Sequence, residues 1–216
     1  MTNRSALAGA QNQLLREAAE WRLLGLLFEC PSPQWRAQVA SLAAEIPDAG
    51  LKAMAEAART EASEGLHHSI FGPGGPAPPR EVSYCDLAQP GYLLSELSSY
   101  YEAFAYQPAL REAPDHVSVE AGFVAYLRLK EAYALANSDG EHAAITGEAA
   151  RQFIHEHLAT LAEPLARALE HSGVEYLTAA GSALLARVGP RRAAPQKRGL
   201  PVLNDNEETD FTCAEN

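Results

Sequence analysis

The sequence predicts an all-α fold, and three observations carry that prediction. Apolar residues recur at spacings of three and four along most of the chain. No segment alternates with period two for long enough to make a strand. Proline, glycine and capping residues cut the helical stretches into lengths ordinary for a globular bundle. The 216 residues, 47% hydrophobic and 21% charged, suffice for a real core. The expected architecture is one helical domain of about eight helices over residues 1–188, followed by a disordered charged tail over 189–216.

The first helix is expected from Leu14 to Phe28, with Leu14, Leu15, Ala18, Trp21, Leu24, Gly25 and Phe28 on one face. Cys30-Pro31-Ser32-Pro33 stops it, and Ser32 is placed to cap a second helix near Gln34–Glu45. A third, alanine-rich helix runs near Leu51–Glu64. Residues 71–91 then hold four glycines and five prolines, a density that excludes helix and central strand and predicts a long loop. Ile70, Phe71, Val82, Tyr84 and Tyr92 bracket this loop and suggest that it lies on the protein. Helix resumes near Tyr92–Tyr106, with Tyr100, Tyr101 and Phe104 among its dense aromatics. Ala113-Pro114-Asp115-His116 opens the next helix, with Asp115 read as its N-cap. That helix runs to about Ala136 and is expected to bury Val119, Phe123, Tyr126, Leu127 and Tyr133. Further helices are expected at about Glu141–Leu158, Leu161–His171 and Val174–Val188, with a break at Pro164. The tail carries a basic block from Arg191 to Arg198 and an acidic one from Asp205 to Glu215.

Composition also restricts function. Seventeen basic against 28 acidic residues leave a formal charge of −11, and the pI is about 5.1. A broad nucleic-acid-binding face needs the opposite balance. The longest strongly apolar run, Leu23–Phe28, is far short of a membrane span. The N-terminal residues read as neither a secretory nor a twin-arginine signal, so the expected compartment is the cytoplasm. Cys30, Cys85 and Cys213 form no C-x-x-C pair and read as three reduced thiols.

No convincing catalytic constellation is present, and no metal ligand set is expected. The loop's prolines remove the amides that a phosphate cradle needs. His155 and His157, at i and i+2, fall on different faces of an α-helix, and an exposed polar helix end explains them. His67-His68 reads as a solvated helix C-terminus. Asp115, His116 and Glu120 form the one compact polar cluster, with the last two sharing a face. They could hold a metal or act as an acid/base pair, but spacing alone favours an ordinary helix start with His116 facing outward.

Three segments carry a resemblance. They are Trp21-Arg22-Leu23-Leu24-Gly25-Leu26-Leu27-Phe28-Glu29-Cys30-Pro31, then Ile70–Pro76 with Pro79-Arg80-Glu81-Val82-Ser83-Tyr84, then Pro114-Asp115-His116-Val117-Ser118-Val119-Glu120 followed by Phe123–Leu127. In this order the chain resembles the TorD/DmsD/NarJ family of redox-enzyme maturation chaperones over about residues 14–188. Phe153–Leu158 is similar to that family's late helix. The resemblance implies an all-helical, non-catalytic cytoplasmic chaperone, monomeric or homodimeric. It would bind the apo catalytic subunit of a molybdenum enzyme, and its twin-arginine signal peptide, until bis-molybdopterin guanine dinucleotide is inserted. No cofactor would be held tightly by the chaperone itself. By the same resemblance the partner-binding residues are Asp115, His116, Glu120, Phe71, Gly72 and Tyr84. Arg80-Glu81 stands where many relatives have a bulkier aromatic, which implies a different peptide preference. The chain also resembles the branch serving type II DMSO reductase enzymes, whose substrates include selenate, chlorate, dimethyl sulfide and ethylbenzene. The competing classes are a small helical metal-dependent hydrolase using Asp115, His116 and Glu120, and a non-catalytic oligomerisation module.

Overall fold

A computed structural model describes residues 2–85, 90–108 and 112–189, with side chains from Leu7 onward. The expected tail from residue 190 lies outside the described residues. The helices are α1 (Thr2–Leu27), α2 (Trp35–Glu45), α3 (Ala49–Glu61), α4 (Glu64–Phe71), α5 (Pro90–Ala103), α6 (Val117–Ala136), α7 (Gly140–Phe153), α8 (Ala159–Glu170) and α9 (Glu175–Val188). A 3-10 turn, Glu81–Tyr84, follows the Gly/Pro loop, and a π-turn, Ile154–Leu158, joins α7 to α8. Among the described residues there is no strand, and the fold is all-α as expected. No described helix is long and apolar enough to cross a membrane.

Local chemistry accounts for the boundaries. The Trp35 amide donates to Ser32 Oγ (3.2 Å), and the Trp35 indole N–H closes the α1–α2 corner on the Leu26 carbonyl (2.7 Å). The third helix, expected over Leu51–Glu64, ends at Glu61, and a helix not expected there, α4, starts where Ser63 accepts from the Leu66 amide. Pro164 does not end a helix. It lies inside α8, and the irregularity falls instead in the π-turn just before that helix.

α6 is the central element. It packs along α1 on one side and α7 on another, while α8 pairs with α9 and α2–α3 close the end. At the α1–α6 crossing, a Cβ on Gly25 would stand 3.1 Å from the Ser118 carbonyl oxygen, so glycine allows the approach. Leu23, Leu24, Leu26, Leu27, Phe28, Trp35, Leu97, Phe123, Phe153 and Leu165 join one continuous core. Tyr133, expected inward, is exposed, as are Tyr92 and Leu129. The 3.6-residue period marks a face, but α6 is packed on several sides mainly over its first half, so Leu129 and Tyr133 in its second half reach water.

Candidate functional site

The Gly/Pro loop is stitched to the start of α6. The Val117 amide donates to the Pro79 carbonyl (2.9 Å), and the Glu81 amide donates to the Asp115 carbonyl (2.8 Å). This backbone pairing draws the second and third motif segments together and buries polar side chains between them.

Asp115 is not the helix cap. His116 takes that place, with Nδ1 accepting from the Ser118 amide (3.2 Å) and lying 2.7 Å from Ser118 Oγ. The Asp115 carboxylate is wholly buried and faces the loop. Its Oδ1 accepts from Arg80 Nε at 2.8 Å, and its Oδ2 from the Val82 amide at 3.3 Å. His116, expected to face outward, is buried too, and burial pulls its imidazole down to a pKa of about 3. It is neutral, as its acceptor role at Nδ1 requires.

Glu120 is also wholly buried, and no N–H or O–H donor reaches either of its oxygens. Burial first, then the neighbouring charges of Glu81 and Asp115, raise its pKa well above the ordinary carboxyl value. The Glu120 carboxyl is thereby held toward its protonated, uncharged form beside Glu81. Glu81 in turn meets His157 Nδ1 across 3.1 Å. His157 was expected on an exposed helix end. It is buried because the π-turn rolls it beneath the loop, against Tyr100 and Phe153. His67 likewise turns inward, 3.4 Å from the Phe28 carbonyl and against Phe71, whereas His68 is solvated.

The loop candidates divide by role. Phe71 is core, edge-on to Phe28. The Gly72 amide closes α4 on the His68 carbonyl (3.0 Å), and a Cβ there would fall 2.3 Å from that same oxygen. Tyr84 donates to the Pro78 carbonyl (2.7 Å), is half-buried, and has a phenol pushed up to about 12 by burial.

Beside this cluster lies a groove of about 420 Å³ between α1 and α6. Leu15, Ala18 and Arg22 form one wall, and Ala125, Leu129 and Tyr126 the other, with Tyr106–Pro108 at one end. Ser118 lies on its surface, so the residue that partners His116 also lines the groove. Arg22 is held by Glu29 at 2.6 Å. Sequence reasoning missed Glu81, Ser118 and His157 as members of the site. Glu81, an acid set beside Arg80 in an otherwise mostly apolar loop, was the one available local signal.

Two residues of the hydrolase reading are already committed, Asp115 to Arg80 and His116 to Ser118, and the third, Glu120, is wholly buried. The chain belongs to the nitrate reductase delta subunit family, whose model matches residues 29–167 and so encloses the loop, the Asp115–Glu120 segment and the π-turn. It is also similar to the selenate reductase assembly chaperone protein of Thauera selenatis, at 39% identity over 93 residues. That match covers 42% of this chain and 47% of the relative, so it spans about half of the relative's length.

Proposed function

We propose that this protein is a non-catalytic cytoplasmic chaperone for the apo catalytic subunit of a molybdenum oxidoreductase. It binds that subunit, with its twin-arginine signal peptide, and assists insertion of bis-molybdopterin guanine dinucleotide before export or assembly. The observation that carries the reading is the apolar groove walled by α1 and α6, directly beside the motif segment 114–120. The apolar stretch of a leader peptide fits such a groove. The net charge of −11 attracts its cationic end at long range. The name of the Thauera relative supports a reductase client, and selenate reductase itself is the first candidate class.

Asp115, His116 and Glu120 then act as positioning residues. They set the groove wall through Ser118 and the loop through Arg80, and a client meets Arg80 and Tyr84 rather than the buried carboxylates. The test is titration of a twin-arginine leader peptide, and separately of the apo subunit, against wild type and Leu129→Glu. Leu129 is half-exposed, so the fold tolerates the charge, and both affinities should fall about tenfold or more. Undiminished binding of both would place the client elsewhere. Failure of the protein to co-purify with any molybdoenzyme subunit would overturn the function itself.

A further inference from the structure

We propose that Glu96, Glu156 and His157 form an exchangeable binding site for a first-row divalent cation, Zn²⁺ by affinity, which ties α5 to the π-turn. The site lies apart from the groove and does not depend on the chaperone reading.

One oxygen from each glutamate and one ring nitrogen of His157 lie within 4.8 Å of one another. The histidine points to a ligand independently of the acids. Its side chain is 3% exposed, and Nδ1 is engaged with Glu81 Oε2, yet Nε2 is buried with no partner. A buried polar atom left unsatisfied is uncommon and unfavourable. Donation from Nδ1–H to the Glu81 carboxylate leaves the lone pair on Nε2. A carboxylate behind an imidazole is the arrangement that orients histidine for a metal and raises its basicity.

The acids fit the same purpose. Among the described residues neither Glu96 nor Glu156 is paired with a lysine or arginine. Two carboxylates held together without a cation repel, and a divalent ion neutralises both. Glu156 is held in place, since Oε2 accepts from the Tyr100 hydroxyl (2.8 Å) and Oε1 from Gln152 Nε2 (3.1 Å). One imidazole and two carboxylates leave positions for water and suit Zn²⁺ or Mn²⁺, with Zn²⁺ bound more tightly of the two. The π-turn is what brings the adjacent Glu156 and His157 to one side, and such turns recur at functional sites. Local spacing hid the site because Glu96 comes from a different helix.

The ion would cross-link α5, the α7–α8 junction and, through Glu81, the loop over the Asp115 cluster. The experiment is calorimetric titration of chelator-treated, untagged full-length protein with ZnCl₂ and with MnCl₂, alongside melting curves. The expected result is one saturable Zn²⁺ equivalent, weaker Mn²⁺ uptake and a raised melting temperature with Zn²⁺. His157 is a core residue whose replacement can unfold the protein, so the exposed acids carry the test. Glu96→Gln and Glu156→Gln should each weaken Zn²⁺ binding about tenfold or more while the metal-free proteins melt as wild type. Asp139→Asn, which alters the exposed Asp139–His142 pair, should leave binding unchanged. Absence of saturable Zn²⁺ uptake, or uptake that Glu96→Gln leaves unchanged, overturns the proposal.

Discussion

Arg80 grips Asp115 through two guanidinium nitrogens, each 2.8 Å from the same carboxylate oxygen, although the residues are 35 positions apart. The arginine is 41% exposed and the aspartate not at all. The pair is therefore asymmetric: Arg80 can turn to water when its partner is lost, and Asp115 cannot.

That asymmetry predicts unequal losses. Asp115→Asn keeps the shape but removes the charge and sets an amide N–H₂ against the Val82 N–H. It should lower unfolding free energy by about 1–2 kcal/mol. Arg80→Ala strands a buried carboxylate and should lower it by about 3 kcal/mol or more. Urea unfolding of both variants checks the order, and a silent Asp115→Asn would show that the charge of the buried Asp115 carboxylate adds nothing to stability.

Glu120 predicts a pH dependence of stability with a definite sign. Its folded pKa lies above the ordinary value of 4.5, so between the two the native state binds more protons than the unfolded one. Stability from this group therefore falls as pH rises above about 4.5. Glu120→Gln does not titrate and can donate an amide N–H to Glu81. It should match wild type near pH 4.5 and melt higher at pH 8, with each kcal/mol gained raising the midpoint about 2–4 °C.

His116 acts at the other end of the scale. Its pKa falls from 6.5 to about 3, so the unfolded state binds the extra proton between those values. Stability from this group is complete above about 6.5 and declines as pH falls through that window. Imidazole resonances of His116 should show no titration between pH 8 and pH 5. His116→Asn keeps a capping side chain and should reduce the loss of stability in acid.

Two glycines of α1 should respond oppositely to alanine. Gly9 is exposed with nothing within 4 Å of an added Cβ, so Gly9→Ala should stabilise by up to about 1 kcal/mol. Gly25→Ala pushes against the Ser118 carbonyl and should destabilise by about 1–3 kcal/mol. Because Ser118 also lines the groove, the second change should weaken client binding as well. Thermal melts and the leader-peptide titration read both effects.

Helix type and approximate extent were legible from apolar spacing, because a face that must be buried repeats along the chain itself. Ser32 could be read as a start for the same local reason: it caps an amide three residues on. The misreadings share one cause. Asp115, His116, His67 and His157 are polar residues at helix ends, where water is the usual partner. Here another segment covers each end: the loop over Asp115 and His116, the α1 C-terminus over His67, the 3-10 turn over His157.

By itself the sequence determined an all-helical chain, a Gly/Pro loop after the residues that became α4, and three motif segments whose order marks the family. These follow from covalent limits on proline and glycine and from the helical repeat, which need no knowledge of what packs against what. Only the tertiary structure decided which charges lose their water. Glu81 meets His157 across 76 positions and Arg80 meets Asp115 across 35, and the burial that comes with this closure raises the pKa of Glu120 and lowers that of His116. Desolvation depends on the atoms that close over a group, and those atoms come from other helices.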